Sequence, residues 1–232
     1  MNRFAFSAVL LSGIAALTAV PAAAQVPSNV SWVRVVHAAA DAPAVDILAN
    51  GNIVFENLKF KNFTEYTPVP PGSYSFSINL TGTSTTAYTN TPATLEGGRA
   101  YTFYALGRVS NGSLHIMGTG DDATPAPAGQ AKVRVVHGAS LAPAVDVYAT
   151  TPYAPLGSAA PALTSVPFAL ASHYLTVPAG AYQGRVAVAG TKTVAIDSGR
   201  LVLMGGTTRT IVAIDPVMAG GAFELLVLPD LN

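Results

Sequence analysis

The residues best suited to chemistry come in matched sets. Arg34, His37, Pro43 and Asp46 lie in "VRVVHAAADAPAVD", and Arg134, His137, Pro143 and Asp146 lie in "VRVVHGASLAPAVD". Eleven of the fourteen positions are identical. A histidine nine residues before an aspartate could serve as a general base with its orienting acid, or as part of a metal shell. A metal site needs three or four ligands, and each copy offers one shared His and one shared Asp. There is no Cys, no H-E-x-x-H, no D-x-D-x-D-G, no G-x-S-x-G, no P-loop and no G-x-G-x-x-G. The expectation is that all eight residues build the fold, with no catalytic, metal or cofactor role and no enzyme activity.

These residues sit on strands. In "WVRVVH", Val33, Val35 and His37 share one face, while Trp32, Arg34 and Val36 share the other. Lys132 replaces Trp32 in the second copy, which predicts a solvent-facing surface. In "AVDIL", Asp46 points away from the core face of Val45 and Ile47. If the two strands are neighbours, Arg34 and Asp46 pair across the outer face and help set register. Such an exposed pair is worth about 0–1 kcal/mol. Pro43 and Pro143 rigidify the connections, and His37 and His137 are expected to bond loop backbone.

The repetition extends further. "YTPVPPGSY" from Tyr66 aligns with "YLTVPAGAY" from Tyr174, and "LEGG" at Leu95 with "LMGG" at Leu203. The offset grows from 100 to 108, so the second copy carries about eight extra residues near "TPYAPLGSAAPA". Asn50-Gly51 between two apolar runs signals a type I′ hairpin. Alternating runs such as "YSFSINL", separated by turn signals, predict seven or eight short strands per copy. The expected fold is all-β, with two tandem immunoglobulin-like antiparallel β-sandwich domains. They span 31–120 and 131–232, with a Pro/Ala/Gly linker at 121–130. Asp121-Asp122 reads as a solvated acidic turn.

The strings "VRVVHAAADAPAVDILANG", "VPPGSY" and "LEGGRAYT" resemble the bacterial exported family called domain of unknown function 4397. The resemblance covers two tandem copies, Val33 to Asp121 and Val133 to Asp230. It implies an extracytoplasmic β domain and no established reaction or ligand. Leu141 stands where the first copy has Asp41.

The first 24 residues read as a signal peptide: Arg3, an apolar run from Phe4 to Val20, then Ala22-Ala23-Ala24. Cleavage there predicts an exported chain at the periplasm, cell surface or medium, starting at Gln25 and free of any transmembrane segment. With 12 basic and 12 acidic residues the chain has no charge footprint for nucleic acid. The expected function is a non-catalytic exported interaction module with a protein or glycan partner at the cell envelope. The alternative is a small-molecule or glycan-binding protein; a metal-binding protein or enzyme is the third reading. Partner contacts are expected on two loops, Thr81 to Thr94 around Tyr88, and the insertion with Tyr153, Pro155 and Leu156.

Overall fold

The computed structural model describes residues 27–89, 92–218 and 220–231. The signal-peptide reading falls on residues 1–24, outside the described residues. No helix among the described residues is long and apolar enough to cross a membrane.

The first half of the chain contributes ten strands: β1 (Ser31–Ala39), β2 (Val45–Ala49), β3 (Asn52–Leu58), β4 (Thr67–Val69), β5 (Gly72–Tyr74), β6 (Phe76–Leu80), β7 (Thr86–Thr89), β8 (Ala93–Leu95), β9 (Ala100–Gly107) and β10 (His115–Asp121). The second half adds β11 (Gln130–Gly138), β12 (Val145–Thr150), β13 (Leu163–Val166), β14 (Leu170–Ala171), β15 (Leu175–Pro178), β16 (Gly180–Val188), β17 (Val194–Leu203), β18 (Thr208–Ile214) and β19 (Glu224–Pro229).

In the first half, β10-β9-β1-β4 form an inner sheet and β3-β2-β6-β7 an outer one. In the second half, β11, β14, β15, β18 and β19 form the inner sheet and β13-β12-β16-β17 the outer. β5 and β8 pair separately. The inner sheets are mixed, correcting the all-antiparallel expectation. β1 runs parallel to β9, and β11 parallel to β18. A parallel pair needs a long crossover, and here the outer-sheet strands supply it. "YTFYAL" and "TIVAI" lie in β9 and β18, each flanked by strands on both sides, as their apolar character on both faces predicts.

The Asn50-Gly51 hairpin forms as read. Ala49 pairs with Asn52, and the two turn residues have φ of 51° and 80°, the left-handed pair a type I′ turn requires.

Packing stacks the four sheets as outer, inner, inner, outer. Val33, Val35, Phe103 and Ala105 of the first inner sheet meet Val45, Ile47, Phe76 and Ile78 of its outer sheet. Val135 and Ala213 meet Val145, Val147, Val186 and Ile196 in the second half. Between the inner sheets, Val36, Ala38, Tyr104 and Leu106 meet Val136, Val212, Ile214 and Leu228. This middle layer overturns one expectation. The face carrying Arg34 and Val36 does not meet solvent; it packs against the other half. Lys132 is buried too, its ammonium bonded to Asp122 and Thr124. A strand in an inner layer is buried on both faces, and alternation alone cannot reveal that when one face carries polar residues that pair with each other.

Candidate functional site

Arg34 and Asp46 belong to different sheets, so the expected cross-strand pair does not exist. Asp46 Oδ1 instead accepts the Asn57 backbone N–H and the Thr81 hydroxyl, both at 2.8 Å. Asp146 accepts the backbone N–H groups of Ser165 at 2.8 Å and Gly190 at 2.9 Å. Asn57 and Ser165 have φ of 52° and 49°, uncommon for residues with a side chain. Each sits where the register of β2 on β3, or β12 on β13, shifts. The shared aspartate thus holds an irregular edge strand in place. Those backbone bonds hold both carboxyls below their ordinary pKa, led by Asn57 for Asp46 and Ser165 for Asp146. Asp46→Ala leaves a strained N–H without its acceptor, and chemical denaturation should show a loss of about 1–3 kcal/mol.

His37 is fully buried at the end of β1. Its Nε2–H donates to the Pro43 carbonyl at 3.0 Å, and its Nδ1 accepts the Ala39 N–H at 3.3 Å. His137 repeats the arrangement with Pro143 and Ala139. Both ring nitrogens are used, which requires the neutral ring. Burial pushes both pKa values down, against a smaller upward pull from the proline carbonyls. The unfolded chain therefore binds these protons first. Stability should be full above about pH 6.5 and fall as pH drops below it. Urea midpoints measured from pH 7.5 to 5 should show that slope, and His37→Gln should reduce it, leaving the share of His137.

Asp41, whose aligned position in the second half holds Leu141, has an internal role. Its carboxylate accepts the N–H groups of Val109 and Ser110 and lies 3.5 Å from Arg108 Nε. In the second half the acid comes from the other side of the gap: Asp215 accepts the N–H groups of Ser140 and Leu141. The same two segments are tied with donor and acceptor exchanged.

The main polar cluster lies in the middle layer. Asp121 ends β10 and Asp230 follows β19. Arg34 Nη2 meets Asp230 Oδ1 at 2.6 Å, and Arg134 Nη2 meets Asp121 Oδ1 at 2.6 Å. Each arginine therefore pairs with the aspartate of the opposite half. The second carboxylate oxygen stays at home. Asp121 Oδ2 accepts the hydroxyls of Thr102 and Tyr66; Asp230 Oδ2 accepts those of Thr210 and Tyr174. The guanidiniums stack on the same tyrosines, Arg34 at 4.5 Å from the Tyr66 ring centre and Arg134 at 4.7 Å from that of Tyr174. All four charged side chains are at most 2 % exposed. Burial alone would lower both arginine pKa values, but Tyr66 and Asp230 around Arg34, and Tyr104 and Asp121 around Arg134, drive them up. Burial, with Asp121 and Asp230 alongside, pushes Tyr66 and Tyr174 far upward, so both keep their protons. The cluster is a neutral, saturated network.

The sequence reading missed this pairing. Asp121 is not a solvated turn, and the stretch read as a linker begins inside the network. The signal was present: Tyr66 and Tyr174 fall in aligned blocks of sequence, and an Asp stands at or just after the last strand of each half.

Above one end of the network the seam opens into a cleft of about 1000 Å³. Glu96, Arg99, Tyr101, Asp121, Asp122 and Tyr174 line it. Glu96 and Arg99 form an exposed ion pair on its rim. Burial would raise the Asp122 pKa, but bonds from Lys132 and Thr124 outweigh it and keep the group charged. The cleft is as polar as it is apolar, and it sits at an interface between packed units, where ligand sites concentrate.

The loop residues expected to meet a partner fall in different settings. Tyr88 lies in β7, not in a loop, half-buried against the first-half core and edge-on to His115. Tyr153 is 81 % exposed, Pro155 is exposed and Leu156 is half-buried. Their segment is tied down: Arg185 Nη2 donates to the Ala154 carbonyl at 2.7 Å, and Gln183 Oε1 accepts the Tyr153 N–H.

With this geometry in hand, the family assignment is direct. The family model described as "Domain of unknown function (DUF4397)" matches residues 31–148. The chain belongs to that family. The match is single, so a second family copy, expected from the repeated strings, is not detected. The matched span runs from β1 through most of β12, crossing the seam. No curated protein matches the chain. Among solved structures, one titled "Alpha-glucan binding by a streptococcal virulence factor" shares 13% identity, covers 81% of this chain and 94% of its own, and has a TM-score of 0.26. A family CBM26 module from Eubacterium rectale, solved with maltoheptaose, shares 13% identity over 87% of this chain and 99% of its own, with a TM-score of 0.23. The Bacillus anthracis TIE protein shares 7% identity over 81% of this chain at a TM-score of 0.25, and this chain covers 34% of its length. Overlaps of that extent carry no ligand from those proteins to this chain.

Proposed function

We propose that the chain is a non-catalytic, exported interaction module of the cell envelope. It comprises two immunoglobulin-like sandwiches, the second a diverged copy of the first, clasped back to back. One observation carries the reading: every polar residue common to the two matched stretches is buried and engaged inside the protein. Arg34, His37 and Asp46, and their counterparts Arg134, His137 and Asp146, bond backbone or each other. Groups so engaged position a scaffold and do not transfer protons to a substrate. Binding then belongs to surfaces the scaffold presents, first the seam cleft and second the exposed Tyr153–Leu156 segment.

A polyhydroxylated ligand such as a glycan is the second reading. It is favoured by the mixed lining of the cleft, where Tyr101 and Tyr174 stand beside the charged groups of Glu96, Arg99 and Asp122. Crosslinked capture from the native envelope, run beside a glycan array, tests both. Arg99→Ala, with Glu96→Ala, removes exposed rim groups and should leave folding unchanged. Loss of capture or of glycan signal in that variant supports the cleft. Unchanged binding moves the site elsewhere, and turnover of an envelope substrate by the purified chain would end the non-catalytic reading. Sequencing the N-terminus of the exported chain should give Gln25.

A further inference from the structure

The two halves fill their interiors differently. In the first half, Phe76 and Phe103 meet between inner and outer sheet, ring centres 4.3 Å apart, and leave a void of only about 10 Å³. Strand register identifies their counterparts. Phe76 pairs with Ala49, and Gly184 pairs with Ala149. Phe103 pairs with Val35, and Ile211 with Val135. Tyr88 pairs with Ile78, and Ile196 with Val186. Three aromatic rings are thus replaced by a hydrogen and two aliphatic chains.

The space is not recovered by collapse. A cavity of about 380 Å³ lies between the sheets of the second half, floored by Val135, Val147, Val186 and Ile211. It reaches the protein edge between β17 and β19, where Asp197, Ser198, Glu224 and Val227 line it. Exposure agrees: Val135, Val147 and Val186 are 9, 8 and 6 % exposed, against 2, 2 and 0 % for Val35, Ile47 and Ile78. The floor is therefore open to the outside. A Cβ built at Gly184 meets Ser198 only at 3.5 Å and beyond, so nothing in the local packing forbids a side chain there.

We infer that this cavity is a binding site for the hydrocarbon part of a small amphiphile. The first half shows what fits: two aromatic rings occupy the same position covalently. The apolar floor takes a ring or a short branched chain, and the polar mouth keeps the ligand's head in water. Its volume falls within the range of small-molecule sites, which combine a mostly apolar lining with a few polar groups that orient the ligand. This site is separate from the seam cleft and stands whether or not that cleft binds.

The test uses the whole chain and the neutral fluorophore N-phenyl-1-naphthylamine. The expected result is saturable binding at one site, accompanied by a raised melting temperature. Gly184→Phe restores the ring present in the first half and should weaken binding at least about tenfold, with no fall in melting temperature for the free protein. Ile196→Tyr and Ile211→Phe should do the same by filling other parts of the cavity. They decide the matter if the glycine variant does not fold. Absence of saturable binding by the parent chain, or unchanged affinity in any folded filled variant, overturns the assignment.

Discussion

Replacing Asp230 with alanine will lower the stability of the chain by about 3–5 kcal/mol. The loss leaves Arg34 charged, 1 % exposed and without its carboxylate, and strips acceptors from Thr210 and Tyr174. Arg34→Ala should cost a similar amount for the converse reason. The double variant should lose less than the sum of the two, by about 1–3 kcal/mol, because neither partner is then left uncompensated. Urea unfolding of the four species measures the cycle. Additive losses would mean that the two side chains do not act as a pair. Arg34→Ala combined with Asp46→Ala should be additive, since those residues share no contact.

The second large effect concerns the connection between the halves. A chain nicked between Pro125 and Gly129 should elute as one folded species, and its halves should separate only in denaturant. Two buried ion pairs cross the seam, joined by an apolar layer that includes Leu106, Val136 and Leu228. Further ties lie at its margin. Lys61 meets Glu224 at 2.7 Å, and Arg108 donates to the Pro216 carbonyl at 2.6 Å. Breaking such an interface exposes charges and apolar surface together. Size-exclusion chromatography after limited proteolysis checks the outcome. Two separate, monomeric, folded fragments would contradict the shared core.

How much of this was legible beforehand differs by residue. The strands, the Asn50-Gly51 hairpin and the backbone-bonded histidines follow from local pattern, because alternation and turn chemistry act within a few residues. The role of Arg34 does not. Its partner lies 196 residues away, and its period-2 position says only that it faces away from Val35. A polar outward face reads as wet unless a second sheet is known to cover it. Asp46 and Asp146 failed in a related way: their backbone partners, Asn57 and Ser165 respectively, belong to strands whose register shifts, and register shifts have no sequence signature of their own. The cavity of the second half was hidden differently again. Gly184 reads as an unremarkable strand glycine until its register equates it with Phe76.

The crossed pairing also sets a schedule. Arg34 leaves the ribosome 196 residues ahead of Asp230, about 10–40 s at ordinary elongation rates. Until β11 and the strands after it follow, its guanidinium belongs to a face with no covering sheet, and it lacks its carboxylate for the whole interval. Asp121 is the acid of the network already made, and it owes its other oxygen to Arg134, which emerges 13 residues later. The nascent first half is therefore an incomplete structure awaiting the last described strand. A chaperone has a long window in which to hold the chain open, and the closing event is the arrival of β19.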